Sequence, residues 1–374
     1  MGLFALGWHV ARREQRSLAL TGQKLPFMTW EVALSILLFA AVAGARYHTG
    51  YDHAMYLHQY VSYEKYGFFT RDFEPLFMWV TQLMASAHIH YFFYFALWAA
   101  IEIAVLYYAL NDYKQLIPWV ALFLVLGPVF IHLMNTMRQG VAECAVPLVI
   151  TQVLDKKYVK AMAIIALLTM VHYASFLLLL LLMIPSSEIR TTNLAANRTI
   201  LLSLLMVSII LGIYPVWFEW LVNVMRNEFT ISLGQYDQVF ASRYEQHVLT
   251  IGPMRLLMIA SQMLVIGFYA QLKKQSGTSG FLRMVAICSM IYLIATNLLT
   301  ATTNYFQRPF ELFIVCYVVL VAAITVYLLQ QKKKVWAYVT IGANCVYIFI
   351  AVVKAHLYPD AYNLPFLYET FLIP

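Results

Sequence analysis

The stretch Arg46-Tyr47-His48-Thr49-Gly50-Tyr51-Asp52-His53 opens, and Arg71-Asp72-Phe73-Glu74-Pro75 closes, a polar segment bounded by apolar runs. Asp52 and Glu74 thus stand near its two ends, each with an arginine close by. A carboxylate at a water–lipid boundary has the chemistry of a general base, or of a group that holds one. The competing reading is a hydrated loop whose acids pair with Arg46 and Arg71. Arg138 and Gln139 begin a further apolar run in Asn135-Thr136-Met137-Arg138-Gln139-Gly140-Val141-Ala142-Glu143. A guanidinium offers a planar fork matched to phosphate oxygens, and its charge persists at any working pH. Set against this is an arginine that merely snorkels to anchor a helix. Glu143 adds an ionisable side chain inside the membrane boundary, where such groups are costly and usually functional. His172 stands alone between apolar residues, and Arg308 opens a late apolar run just after Tyr305.

A second long polar segment, 218–251, carries Arg226, Tyr236, Asp237, Arg243 and His247 without recognisable spacing and reads as a cover over substrate. The chain holds no phosphate-binding lysine loop, no paired-cysteine zinc site, no His-Glu-x-x-His and no nucleophile elbow. Asp72-x-Glu74 is a weak signal for a divalent cation, so neither metal nor cofactor is expected.

The elements that must position these residues follow from composition. Hydrophobic residues are 62% of the 374 positions and charged residues 11%, whereas a soluble domain is about a quarter charged. Apolar runs of about 18 residues or more, enough to cross the hydrocarbon, recur along the chain. The fold expected is all-α, a polytopic transmembrane bundle forming one integral membrane domain over 1–374. Spans are expected at 28–45, 91–110, 116–134, 139–154, 199–217, 252–272, 282–300, 309–330 and 335–355. Residues 1–10 are apolar but short, without a signal-peptide cleavage site. Cys144, Cys288, Cys316 and Cys345 fall within apolar runs and are expected as free thiols. The net charge of +7 sits mostly in short loops and sets orientation; it does not point to nucleic acid.

Loop charge arbitrates two ambiguous segments. Arg12, Arg13, Arg16 and Lys24 place the N-terminus in the cytoplasm and residues 46–74 outside. A span over 75–90 would put Lys156, Lys157 and Lys160 outside, and a helix of roughly fifteen residues reaches only ~22 Å. This segment is therefore expected as a juxtamembrane helix on the outer face. The run 158–185 is expected as two short helices meeting near His172 and Tyr173, which keeps Arg190, Arg198, Lys273, Lys274 and Lys332 to Lys334 inside. The total is about eleven spans, and the elaborated face is the outer one.

Arg46 with Gly50-x-Asp52-x-x-x-Tyr56, then Glu74-Pro75, then Arg138-Gln139-x-x-Ala142, then His172 after a lysine-rich turn, resembles the EpsG family of Wzy-like exopolysaccharide and O-antigen polymerases. The resemblance covers residues 28–185, with Arg308 fitting at a later span entrance. The span that usually precedes the one leading into this loop has no counterpart of sufficient length in residues 1–10.

The resemblance implies a GT-C-like layout in a bacterial inner membrane, with a juxtamembrane helix in the first external loop and a site facing the periplasm. It implies transfer of a glycan from undecaprenyl diphosphate to another lipid-linked repeat unit, with a chain-length regulator as a possible protein partner. In that reading Arg46, Arg138 and Arg308, with Gln139, Glu143 and Tyr305, hold substrate, and Asp52, Glu74 or His172 removes the acceptor proton. Retention and inversion of the anomeric centre both stay open. The external tyrosines Tyr47, Tyr51, Tyr56, Tyr60, Tyr63, Tyr236 and Tyr305 fit either sugar stacking or an interfacial aromatic belt. Alternative functions are a GT-C transferase using a polyprenyl monophosphate sugar, an O-antigen ligase, and a lipid-oligosaccharide flippase.

Overall fold

A computed structural model describes residues 1–47, 51–127, 129–184, 198–213, 253–273, 279–299, 304–357 and 369–370. The second long polar segment, 218–251, with Arg226, Tyr236, Asp237, Arg243 and His247, lies outside the described residues, as do Gly50 and most of the tail after 357.

The described chain is helical apart from one pair of two-residue strands. In order the helices are α1 (Gly2–Thr21), α2 (Trp30–Ala45), α3 (Tyr51–Tyr66), α4 (Pro75–Ser86), α5 (Tyr91–Ala109), α6 (Ile117–Leu126), α7 (Val129–Asn135), α8 (Met137–Leu154) and α9 (Tyr158–Thr169). They continue with α10 (Arg198–Ile213), α11 (Pro253–Lys273), α12 (Gly280–Leu298), α13 (Asn304–Glu311), α14 (Ile314–Gln330) and α15 (Lys334–Leu357). Tight 3₁₀ turns cover Asn111–Leu116 and Tyr173–Met183. β1 (Arg46–Tyr47) pairs antiparallel with β2 (Glu369–Thr370), which returns the C-terminal tail to the start of the first polar segment.

Four helices among the described residues are long and apolar enough to cross a membrane: Tyr91–Ala109, Arg255–Leu272, Gly280–Leu298 and Gln307–Gln330. The segments Asn111–Leu126 and Val129–Asn135 together make a fifth candidate, bent by 72°. The single span expected at 116–134 is therefore broken, next to Gly127, whose place beside the Phe123 carbonyl leaves no room for a side chain. Shorter apolar helices include α2, α9, α10 and the 3₁₀ run after His172.

Three local outcomes bear on the site. The 158–185 run is two short helices that meet at His172, as loop charge demanded. Its second half is 3₁₀ over eleven residues, and its buried side chains Ser175, Leu178 and Leu181 recur every third residue, the repeat of that helix. The segment after Pro75 is the short helix α4, with Pro75 in the first turn, where its missing N–H costs nothing. α4 buries Phe77, Thr81, Met84 and Ala85 on one side while Trp79 and Leu83 stay exposed on the other. An apolar outer face with a tryptophan suits a helix lying in the membrane interface.

The N-terminal segment departs from expectation, because its helix runs on through the charged residues to Thr21. Those charges are used. Arg13 and His9 bind the Glu31 carboxylate at 2.7 and 2.6 Å, and Glu14 takes the backbone N–H of Leu25 at 2.8 Å. α3 likewise departs from the loop that the polar composition of residues 46–74 predicts. Its mixed composition hides the periodicity, yet His53, Tyr56, Gln59 and Tyr60 are buried on one side.

Apolar residues from α1 through α15 form one continuous core. α14 runs through it and is buried along most of its length. Contacts between loops sort into two ends. At one end Lys24 pairs with Asp112 at 2.7 Å, Tyr113 stacks on Phe281 at 4.5 Å and Lys333 bonds Gln271 at 2.8 Å. At the other, residues 46, 52, 74, 135–138, 170–173 and 308 meet.

Candidate active site

Glu74 is the hub of that second end. It is the N-cap of α4 with extended backbone, 3% exposed, and its carboxylate points back toward the start of α8. Arg138, in the first turn of α8, donates through Nη1 to Glu74 Oε2. The backbone N–H of Tyr173 donates to Glu74 Oε1 at 3.0 Å, and His172 Nδ1 lies 3.4 Å from the same oxygen. The Leu76 N–H donates to the Met170 carbonyl at 2.9 Å, so backbone as well as side chains tie α4 to the turn that carries His172. Burial by itself would push the Glu74 carboxyl up. The imidazole, the guanidinium and the backbone donor outweigh it and hold the group at about 2.

Arg138 lies over an aromatic floor. Its guanidinium is 4.4 Å from the Phe73 ring centre, 5.5 Å from Phe77 and 5.6 Å from Tyr56, and its Nε donates to the Tyr56 hydroxyl at 3.3 Å. A cation over ring faces with a carboxylate on one side is held in a single orientation. The floor is built by α3, α4 and α5: Phe77 meets Trp98 at 5.1 Å, Tyr60 meets Tyr94 at 4.8 Å, and the Tyr60 hydroxyl donates to the Ile89 carbonyl. Tyr56 and Tyr60 are therefore buried, not members of a belt or a sugar platform, and burial pushes the Tyr60 hydroxyl up to about 12. The side chains of Tyr47, Tyr51 and Tyr305, and all of Tyr236, lie outside what is described.

Asp52 and Arg308 meet from distant parts of the chain, at 3.6 Å between Oδ2 and Nη2, and both stay partly exposed. The Asp52 N–H donates to the Asn135 side chain at 3.0 Å, which fixes the start of α3 beside the α7–α8 junction. Arg46 sits behind, 1% exposed, its guanidinium 4.7 Å from the Phe95 ring and facing the sulfurs of Met134 and Met137. His53 also stacks on Phe95, with ring centres 4.5 Å apart.

Below these lies a buried polar layer. Gln139 and Glu143 are four apart on α8 and share a face; Gln139 Nε2 donates to Glu143 at 2.8 Å and to Glu311 and the Arg308 carbonyl at 3.3 Å. His132 Nε2 completes the layer 2.8 Å from Glu143. Glu102, fully buried in α5, lies against Gly140, where a Cβ would come within 2.6 Å of its carboxylate.

Of the residues singled out from sequence, Asp52, Glu74, Arg138, His172 and Arg308 converge on one end, and Arg46, Gln139 and Glu143 pack directly behind them. Sequence reasoning passed over His132, Glu102, Glu311 and Asn135. Glu102 carried a usable signal, an acid in the middle of a span. Glu311 carried another, lying three residues after Arg308.

The EpsG family model matches residues 30–368, nearly the whole chain and well beyond the first half in which the motifs are dense. The chain belongs to the EpsG family. The family is one of Wzy-like polymerases, and with the apolar helices described above the protein is a helical membrane protein. The match includes the start of α2, which leads into the Arg46–Asp52 motif, and leaves out α1. No curated protein and no solved structure matches the chain.

Proposed function

We propose that this EpsG-family protein is a bacterial polysaccharide polymerase, transferring a growing glycan from undecaprenyl diphosphate to the terminal sugar of another lipid-linked repeat unit. The reaction takes place at the periplasmic side of the inner membrane, in a single integral membrane domain of about eleven spans with a GT-C-like juxtamembrane helix. The observation that carries this reading is the Glu74–Arg138–His172 cluster, joined at one end of the bundle by the Asp52–Arg308 pair. Family membership points to the same chemistry.

The acceptor hydroxyl oxygen attacks the anomeric carbon of the donor, the bond from that carbon to the diphosphate oxygen breaks, and its electron pair leaves on the diphosphate. Arg308, the more exposed guanidinium, and Arg138 stabilise the charge that develops there. The hydroxyl proton goes to His172. Glu74 is a poor base because it is held ionised, while a neutral imidazole nitrogen offers a lone pair to the proton. Both ring nitrogens of His172 are buried without a hydrogen-bond partner among the described residues; Nε2 is the atom assigned this role, because Nδ1 lies on the Glu74 side, 3.4 Å from the carboxylate that orients the ring. Asp52 positions Arg308. Arg46, Gln139 and Glu143 act from behind as supports, and a chain-length regulator is the expected protein partner.

Replacing Arg138 by Ala at preserved expression should leave cells with single repeat units on the lipid, read as collapse of the polysaccharide ladder. Long chains in that mutant would remove the role given to Arg138. Chains of normal length that lack one decorating sugar would instead favour a transferase using a monophosphate donor.

A further inference from the structure

At the end of the bundle opposite the candidate active site, α10 and α15 both pack on α11 and leave a recess between them. It is lined at its mouth by Arg198, Gln271, Lys333 and Trp336 and deeper in by Leu202, Met263, Leu264 and Phe268. Lys333 donates to Gln271 at 2.8 Å and sits 5.8 Å over the Phe268 ring, which packs against Trp336 at 5.5 Å. Gly267 keeps the floor open: a Cβ there would meet only the Arg198 guanidinium, at 3.7 Å. Two cations face the recess, no acid lines it, and among the described residues neither cation has a carboxylate partner. The recess is open at its mouth and holds about 630 Å³.

The opposition of the two sites follows from helix length. Arg308 opens the span Gln307–Gln330 and Lys333 follows its far end, a separation of about 36 Å at 1.5 Å per residue. The basic recess therefore belongs to the end that loop charge assigns to the cytoplasm.

We propose that this recess binds the head group of an anionic phospholipid of the inner leaflet. Arg198 and Lys333 grip the phosphate, Trp336 sits at the glycerol level, and the chains run down along Leu202, Leu264 and Met263. A guanidinium and an ammonium over an aromatic pair, opening onto apolar helix faces, supply charge to the head group and hydrocarbon to the chains. The site is independent of the polymerase reading.

The test uses the purified full-length protein in detergent, titrated with phosphatidylglycerol, phosphatidylcholine or inorganic phosphate and followed by native mass spectrometry and thermal unfolding. Phosphatidylglycerol should stay bound and raise Tm, and phosphatidylcholine should do neither. The double variant Arg198→Gln/Lys333→Gln should bind it on the order of tenfold more weakly, while Arg198→Lys/Lys333→Arg retains binding. Gly267→Leu leaves both charges in place, improves helix propensity and fills the phosphate position, so it should lose binding while remaining folded. Equal binding by the folded Gly267→Leu protein, equal effects of the two lipids, or a Tm rise fully reproduced by inorganic phosphate would overturn the proposal.

Discussion

Glu74 shows how much one buried carboxylate organises. Two donors reach it, Arg138 from α8 and the Tyr173 backbone N–H, with His172 Nδ1 3.4 Å away, and without it these groups would face each other across the site. Its folded-state value near 2 lies below the ordinary 4.5. A group depressed on folding contributes stability that is complete above the ordinary value and fades as pH falls through the folded one. The wild-type protein should therefore exceed Glu74→Gln in Tm by a constant margin above pH 5 or so. That margin should shrink below 4.5 and vanish toward 2. A margin independent of pH across that range would show that packing, not ionisation, is what Glu74 supplies. Tyr56 adds the neutral counterpart: its hydroxyl accepts from Arg138 while its ring supports the same guanidinium.

Elements reach this arrangement through close approach. α2 and α5 pack along much of their length, and at Gly44 a Cβ would lie 2.7 Å from the Phe92 carbonyl and 3.0 Å from Ala96 Cβ. Gly342, in α15, has nothing within 4 Å of the same position. Gly44→Ala should therefore force the two helices apart and destabilise the protein by about 1–3 kcal/mol. Gly342→Ala, free of any clash, should be neutral or gain up to about 1 kcal/mol of helix propensity. Thermal unfolding of both variants in one detergent checks the pair, and equal behaviour would mean that the α2–α5 interface yields easily. The same interface sets the depth of Arg46, two residues after Gly44, against Phe95.

At the scale of the molecule, the two ends of the bundle are chemically distinct. One gathers Asp52, Glu74, Arg138, His172 and Arg308, and the other holds the lysine-rich turns and the Arg198–Lys333 recess. If the first faces the periplasm, a cysteine at exposed Arg71 should react with an impermeant maleimide in intact cells. One at exposed Lys156 should react only after permeabilisation. The four native thiols are buried or half-buried, so they should add little background to this measurement. Labelling of the Lys156→Cys protein from outside would reverse the orientation of α8 and α9.

Charge and hydrophobicity alone determined the class of this protein and much of its layout. The lysine-rich turns, the short polar-tinged segment after Pro75 and the divided run around His172 all follow from the cost of placing charge on the wrong side or inside hydrocarbon. Residue type and the EpsG resemblance also marked Asp52, Glu74, Arg138 and His172 before any contact was visible. What local patterns could not carry was partnership. That Glu74 belongs to Arg138 and His172, that Asp52 meets a residue more than 250 positions away, and that buried Glu102 and half-buried His132 and Glu311 lie behind them were decided only by tertiary structure. Helix packing brings together groups whose separation in the chain leaves no periodic trace, and α3 stayed hidden because its buried face is polar and aromatic instead of aliphatic. The fold class was a matter of solvent preference, residue by residue, whereas the site was a matter of which helix ends meet.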